Sequence, residues 1–153
     1  KKVSKKELIL SAQSALLQMK KKEGKRLIYM AKFILPNSFG IKDLDNAFLN
    51  LTEYVEGKII PMSDMPFQKF LDYNEMTNEE LFAKVDIKDA IRLGIIRKMK
   101  NGEYLNHLSG NVLGRTEDEI YSFLTQPQNQ EELGTGTNVD SVTSIRYQLT
   151  NRK

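Results

Sequence analysis

The sequence lacks cysteine and tryptophan and contains a single histidine among its 153 residues. Without cysteine the chain can form neither disulfide bonds nor cysteine-ligated zinc sites, and this composition suits a reducing compartment. No apolar run approaches the roughly 20 residues that a membrane-spanning helix requires, and no secretory signal core is present. These absences exclude disulfide-rich scaffolds and predict a protein that lies in the cytoplasm or within a virion and does not contact a membrane.

Motifs for catalysis are missing as well. His107 is the only histidine, and no cysteine or Gly-x-Ser-x-Gly elbow supplies a nucleophile with a base. Neither a Walker-type phosphate loop nor a Gly-x-Gly-x-x-Gly fingerprint occurs. The acidic clusters at 43/45, 79/80 and 117–119 lie at predicted helix N-termini, where the helix dipole favours negative charge. The sequence therefore predicts a non-enzymatic protein without cofactor or metal.

Charge is distributed unevenly along the chain. The formal net charge is only +3, yet residues 1–35 contain ten Lys or Arg against two acidic residues, a local charge of +8. The remaining residues carry thirteen basic and eighteen acidic side chains, a charge of −5. A basic segment of this kind is typical of a nucleic-acid or acidic-protein partner, although a solvated lysine-rich helix face has the same composition.

Capping motifs and apolar spacing predict mostly helices. Three capping boxes predict helix starts: Ser4 with Glu7, Thr77 with Glu80, and Thr116 with Glu119. Apolar residues three and four positions apart predict helices from Ser4 to about Gly24 and over 25–35, 43–56, 67–73 and 78–85. A separate helix capped by Asp86 is expected to end at Gly94, and the Thr116 helix is expected to stop before Pro127.

The stretch from Leu93 to Leu105 predicts a helix end followed by a β-hairpin. Ile95–Lys100 and Glu103–Leu108 form its arms, and Asn101-Gly102 is expected to close it as a two-residue type I′ turn, since both residues tolerate positive φ.

The C-terminal residues predict a linker and an arm. The Gly-Thr-rich residues 134–138 are expected to be flexible. Alternating Ile145, Tyr147 and Leu149 predict a strand or extended arm that pairs elsewhere or docks on another subunit. The predicted fold is thus α+β and helix-dominated: a basic-to-mixed helical region over 1–74, a winged-helix-like helix–hairpin–helix module over 75–133, and a linker with an extended tail over 134–153.

Basic side chains supply a candidate binding surface. In a wing, Arg97, Lys98 and Lys100 of the hairpin and Arg115 at the foot of the next helix would meet phosphate oxygens. The N–H groups that open the Thr116 helix could hold a further anion. Basic residues of the first helices could extend this footprint along a duplex: Lys5, Lys6, Lys20, Lys21, Lys22, Lys25 and Arg26.

If six to eight of these residues contacted phosphates, the affinity for DNA would fall by about 10³–10⁴-fold as salt rises from low to moderate concentration. Lysines that protect an edge strand from aggregation explain the hairpin charges equally well. No helix presents a clear face of Arg, Asn or Gln for base edges, so sequence-specific binding is not expected.

Residues 87–133 follow a further pattern of a helix, a Gly-containing hairpin and a helix that ends in an aromatic-Leu pair before proline. Its positions are Leu93-Gly94-Ile95-Ile96, Lys98, Gly102, Tyr104, Gly110, Leu113-Gly114, Phe123-Leu124 and Pro127. This pattern resembles the small C-terminal domain of RecA-type recombinases. The ATPase core is missing, and Leu105 and Asn106 stand roughly where the family has a Trp-Tyr pair, so recombinase activity is not implied. The resemblance implies a domain that gathers duplex DNA through basic surface residues, here Arg97, Lys98 and Arg115.

Two functions follow as hypotheses. The first is a DNA-binding or DNA-organising accessory protein that contacts the phosphate backbone of duplex DNA. The second is a structural subunit of a large assembly, such as a viral particle or connector. In that case the N-terminal helices and the tail (residues 141–153) dock on other protein subunits, as a homo- or hetero-oligomer.

Overall fold

The computed structural model describes residues 4–35, 41, 43–58, 66–135 and 141–151. It divides the chain into two compact units, residues 1–82 and 83–153. Helices dominate, and a three-stranded antiparallel sheet belongs to the second unit, as the α+β prediction requires. Within the described ranges, no helix is both long enough and apolar enough to cross a membrane.

The first unit is built from helices, three of which begin at local side-chain caps. Its helices are α1 (Lys5–Lys22), α2 (Gly24–Ile34), α3 (Leu44–Val55), α4 (Pro66–Tyr73) and the start of α5 (Asn78–Arg92). The Ser4 hydroxyl accepts the Glu7 N–H at 3.2 Å, and the Asp43 carboxylate accepts the Asn46 N–H at 2.8 Å. Because each cap satisfies a backbone donor that the helix itself cannot, these starts are where the sequence predicts them.

The core of the first unit consists of residues at helical spacing. On α1 the buried positions are Ala12, Leu16 and Met19, which are four and three residues apart. Large side chains that are fully buried come from the other helices: Leu27, Met30, Leu51, Phe67, Phe70 and Leu81. Burial of each contributes about 1.5–3 kcal/mol, so this core supplies most of the stability of the unit.

Helix α5 is continuous, which corrects one prediction. The Thr77 hydroxyl accepts the Glu80 N–H at 3.1 Å, so the predicted start is confirmed. Asp86, predicted to cap a separate helix, lies inside α5 with only 8% of its surface exposed. Its carboxylate accepts a hydrogen bond from Arg146 Nε at 2.8 Å. Asp86 therefore pairs with a residue far along the chain rather than with its local backbone.

The second unit contains the sheet and the remaining helices. Strands β1 (Ile96–Lys98), β2 (Tyr104–Asn106) and β3 (Val112–Gly114) pair in chain order, and the sequence did not predict β3. Then follow α6 (Glu117–Leu124), a 3₁₀ turn (Pro127–Asn129), α7 (Gln130–Leu133) and α8 (Ile145–Asn151). The core of the unit combines side chains from all these parts of the chain, among them Ile87, Ile96, Leu113, Ile120, Leu133 and Ile145.

The hairpin turn is longer than predicted. Lys98 pairs with Tyr104, the Met99 N–H donates to the Glu103 carbonyl at 2.7 Å, and the Gly102 N–H donates to the Met99 carbonyl at 3.0 Å. Asn101 and Gly102 therefore occupy the third and fourth positions of a turn that begins at Met99, with φ of 91° at Gly102. This is the three-residue hairpin loop with glycine at the left-handed position, so the prediction of a two-residue type I′ turn is wrong.

The C-terminal residues form a helix, so the predicted strand or extended tail is wrong. Ile145 is fully buried and Leu149 packs against the same core, whereas Tyr147 is 39% exposed. Residues four apart share one face of a helix, while the alternation seen in sequence suggested that all three share one face of a strand. The Ser144 hydroxyl accepts the Tyr147 N–H at 3.2 Å and caps the helix. Of the predicted linker, residues 136–138 lie outside the described residues.

Candidate nucleic-acid interface

Three cations surround the hairpin turn. Lys98 and Lys100 are exposed, and Lys98 Nζ lies 5.8 Å from the centre of the Tyr104 ring. Arg115 Nη1 donates to the Asn101 carbonyl at 2.9 Å, which holds its guanidinium at the turn. We refer to Lys98, Lys100 and Arg115 as the tip cluster. The structure thus brings together, around one turn, three of the four basic residues that the sequence assigned to the wing.

Arg97 faces away from Lys98. Successive strand residues point to opposite faces of a sheet, so these neighbouring cations cannot form one flat surface. Arg97 is exposed and lies opposite Leu105, and its Nε donates to the Gly94 carbonyl at 2.9 Å. Arg97 therefore lies beside the base of the hairpin and is separated from the tip cluster.

Arg97 and the tip cluster differ from other cations of the second unit, which pair with carboxylates. Lys88 pairs with Glu117, Arg92 with Asp89 and Arg146 with Asp86, at nitrogen–oxygen distances of 3.2, 3.8 and 2.8 Å. Among the described residues, none of these carboxylates nor any other forms a salt bridge with Arg97 or the tip cluster. The hairpin therefore presents positive charge that a phosphate could neutralise.

The predicted anion site at the start of α6 is not supported. The Thr116 hydroxyl already accepts the Glu119 N–H at 3.1 Å, and the Glu119 carboxylate accepts the Arg115 N–H at 2.9 Å. The first turn also contains three acidic residues, Glu117, Asp118 and Glu119. Their negative charges already interact favourably with the helix dipole, and they repel a further anion.

The basic residues of the first unit fall into two groups. Exposed lysines with neither an ion pair nor a ring contact in the described part of the chain are Lys5, Lys6, Lys21 and Lys22. Lys20 instead lies 3.5 Å from an Asp45 carboxylate oxygen and over the Phe48 ring, and Lys25 lies over the Phe82 ring. The first group remains available to phosphate, and the second is partly occupied by intramolecular contacts.

Arg26 is a structural residue, which corrects its place among the predicted phosphate contacts. Only 8% of its surface is exposed. Its Nη1 donates to Asn78 Oδ1 at 2.7 Å, and its Nη2 donates to the Asn74 and Met76 carbonyls at 2.7 and 2.8 Å. These bonds fasten α2 to the segment between α4 and α5, and they leave the guanidinium turned inward.

A groove of about 290 Å³ opens on the second unit beside the base of the hairpin. Its wall contains Ile95, His107 and the exposed Leu108 from the hairpin region, and the exposed Val142 and Tyr147 from a distant segment. The sequence does not reveal this groove, because its residues lie up to 56 positions apart and no local pattern joins them. Tyr147 was the available signal, but the strand prediction grouped it with Ile145 and Leu149 on one face.

Asn106 connects segments of the second unit that lie around this groove. It is fully buried, and its Nδ2 donates to Glu132 Oε2 at 2.6 Å and to the Thr143 carbonyl at 2.8 Å. Its Oδ1 accepts from the Leu108 N–H at 3.1 Å and from Gln148 Nε2 at 3.0 Å. Every polar position of this amide is thus used to hold β2, α7 and α8 together.

His107 is exposed, and no group of three or more His, Asp or Glu side chains in the described ranges is placed to hold a metal ion.

Comparison with protein-family models, with curated proteins and with solved structures finds no match to this chain. The resemblance of residues 87–133 to the RecA-type C-terminal domain therefore remains a prediction, and inferences about function rest on the geometry above.

Proposed function

We propose that the protein is a non-enzymatic nucleic-acid-binding accessory protein, which contacts the phosphate backbone of DNA through the hairpin of its second unit. The observation that carries the proposal is the tip cluster, whose cations surround one turn and have no carboxylate partner within the described residues. Phosphate contacts fix the position of a protein on DNA without reading sequence. This role matches the lack of a base-reading helix.

The finer fold proposal is that the second unit works as a winged helix does, with the hairpin as its wing. The resemblance to the C-terminal domain of RecA-type recombinases points in the same direction, since it implies a domain that gathers duplex DNA through basic surface residues. Four contacts, from Arg97 and the tip cluster, would make affinity fall roughly 100-fold between about 50 and 200 mM salt.

A salt-dependent titration of the full chain against fluorescently labelled duplex DNA tests the proposal. We expect a linear, negative slope of log affinity against log salt. The double variant Lys98→Gln with Lys100→Gln should lower this slope by about 1.8, or 0.9 for each contact, and equally for unrelated sequences.

The matched control is Lys88→Gln with Arg92→Gln, which removes the same charge from the same unit but at cations that already have carboxylate partners. This control should lower the slope of log affinity against log salt by less than the Lys98→Gln, Lys100→Gln variant does. A flat salt response of the unmodified chain, or equal effects of the two double variants, would show that the tip cluster does not bind phosphate.

A structural subunit of a large assembly remains the second candidate. The exposed side chains of Leu108, Val142 and Tyr147 favour it, because clustered apolar surface is typical of contact sites. We rank it second because the extended arm on which it depended is a helix packed within its own unit. Light scattering of the full chain at increasing concentration distinguishes the two, since assembly predicts a rising mass without DNA.

A further inference from the structure

We propose that the groove beside Arg97 binds an unpaired nucleobase, so that the protein prefers single-stranded DNA to duplex DNA. This inference rests on the proposed function and names the form of nucleic acid that the second unit takes. It is carried by the shape and lining of the groove, by the strand register that places Arg97 next to it, and by the charge around it.

Strand register places the groove and Arg97 on one face of the hairpin. Arg97 pairs with Leu105, and the His107 N–H donates to the Ile95 carbonyl at 2.9 Å, which continues the ladder by two residues. Alternate positions share a face, so Ile95 and His107 lie on the side of Arg97. The distance along the strand from Ile95 to Arg97 is about 6.6 Å at the usual rise per residue. A phosphate on Arg97 therefore leaves the attached nucleotide within reach of the groove.

The groove suits a flat, mainly apolar group. Its volume of about 290 Å³ is near the lower end of the range for small-ligand sites. Tyr147 is 39% exposed and offers a ring on which a base can stack, and the exposed His107 lines the same groove. Leu108 and Val142 provide the apolar sides. Aromatic platforms beside a cationic track are the common means by which proteins bind single strands.

Charge favours a nucleotide over an uncharged apolar ligand or a second copy of this surface. Arg97 is exposed at the base of the hairpin and forms no salt bridge with a described carboxylate, so positive charge lies beside the groove. Two like-charged surfaces would repel each other, whereas the phosphates of a single strand would be attracted.

Base identity should matter little at this site. The Gln148 amide nitrogen already donates to Asn106 Oδ1 and to the Thr143 carbonyl, and the Asn151 amide nitrogen donates to the Tyr147 carbonyl. Since both Gln148 donors are engaged within the protein, they do not select among base edges, and Asn151 keeps a single N–H for any such contact. Stacking is tolerant of sequence because every base has a π-face.

The test compares two labelled single strands of equal length, an oligothymidylate and an abasic strand with the same phosphates, with a duplex as the third probe. Fluorescence anisotropy of the full chain should show tighter binding of the thymidylate than of the other two. Tyr147→Ala should weaken thymidylate binding by about 5- to 100-fold, the usual effect of losing one stacked base, and should leave abasic binding unchanged. Tyr147→Phe should retain the affinity, and Arg97→Gln should weaken both single strands.

Two controls keep the result interpretable. Val112→Ala removes an apolar side chain that is 44% exposed in the same unit but does not line the groove, so it should have no effect. Leu108→Ala tests the groove a second time if Tyr147→Ala changes the circular dichroism spectrum.

Equal affinity for thymidylate and abasic strands would overturn the inference, as would unchanged thymidylate binding by both groove variants. If the duplex still binds with a steep salt slope in that case, the proposed function stands and only the base site fails. If none of the three probes binds, both proposals fail.

Discussion

Asn106 lies fully buried where β2 meets α7 and α8, and all of its hydrogen-bonding positions are occupied. Glu132, which accepts one of these bonds, also accepts from the Ser109 hydroxyl at 2.6 Å and from Asn111 Nδ2 at 2.7 Å. Buried polar groups are tolerated when they are fully paired and become costly when one partner is lost. The arrangement of the second unit therefore depends strongly on this one side chain.

Replacing Asn106 tests that dependence. Asn106→Ala leaves the Leu108 N–H without its side-chain acceptor and removes the donor to Glu132, and we expect a loss of roughly 2–4 kcal/mol in the free energy of unfolding. Urea denaturation followed by circular dichroism measures it. Asn111→Ala is the matched control, since Asn111 is exposed and bonds the same carboxylate; its effect should stay below about 1 kcal/mol. Similar effects of both changes would contradict the role given to Asn106.

A comparable prediction concerns Arg26 in the first unit, and the salt dependence of DNA binding provides a second measurement. Arg26→Met keeps most of the side-chain volume but removes the donors to Asn74, Met76 and Asn78. We expect roughly 2–4 kcal/mol of destabilisation and no change in the salt slope of DNA binding. Lys22→Gln should do the reverse, with unchanged stability and a smaller slope. A reduced slope for Arg26→Met, in a variant that remains folded, would restore Arg26 to the phosphate-contacting set.

At the scale of elements, the sequence predicts best the helix starts and ends that depend on contacts between residues close together in the chain. The helices that begin after Ser4, Thr77 and Thr116 were predicted because each cap bonds a backbone group three residues away. Gly94 ends α5 for an equally local reason.

One failure has a long-range cause and another comes from the shortness of an element. Asp86 is held by Arg146, sixty residues away, and a three-residue strand such as β3 is too short to show a period. The tip cluster was largely predictable because its residues flank one turn, whereas the groove required the fold to bring Tyr147 to His107.

Helix α8 provides the sharpest test at this scale. If residues 145–151 are helical, Ile145 and Tyr147 point in different directions, and only Ile145 is in the core. Ile145→Ala should cost about 2–4 kcal/mol in the free energy of unfolding, as is usual for a buried aliphatic residue. Val142→Ala, at a side chain that is 59% exposed, should cost less than about 0.5 kcal/mol. Comparable costs for the two substitutions would argue against the helix packing described here.

The contact of β3 with α6 depends on Gly114. A Cβ added there would lie 2.7 Å from the Cβ of Glu119 and 3.1 Å from backbone atoms of the first turn of α6. Since backbone cannot move aside easily, we expect Gly114→Ala to destabilise the second unit by roughly 2–3 kcal/mol. Gly110→Ala is the control, because its φ is also positive but its Cβ would meet no atom within 4 Å. The difference between the two urea midpoints isolates the steric effect from backbone strain.

At the scale of the whole molecule, positive charge is divided between the two units. Residues 1–35 carry the local charge of +8, and exposed lysines without an ion pair in the described part lie at both ends of α1. The second unit presents its cations at the hairpin. Charges on separate units act additively on a shared polyanion, so each group can be measured by its own contribution to the salt slope.

The last prediction tests whether the lysines of α1 contact DNA phosphates. The double variants Lys5→Gln with Lys6→Gln and Lys21→Gln with Lys22→Gln should each lower the slope of log affinity against log salt by about 1.8, if both residues of a pair meet phosphates. Lys20→Gln with Lys25→Gln removes the same charge at side chains that contact Asp45 and aromatic rings, so its effect should be smaller. Unchanged slopes for both α1 pairs, beside a reduced slope for the hairpin pair, would confine the interface to the second unit. The lysines of α1 would then act as a solvated helix face, the alternative that their composition allowed from the start.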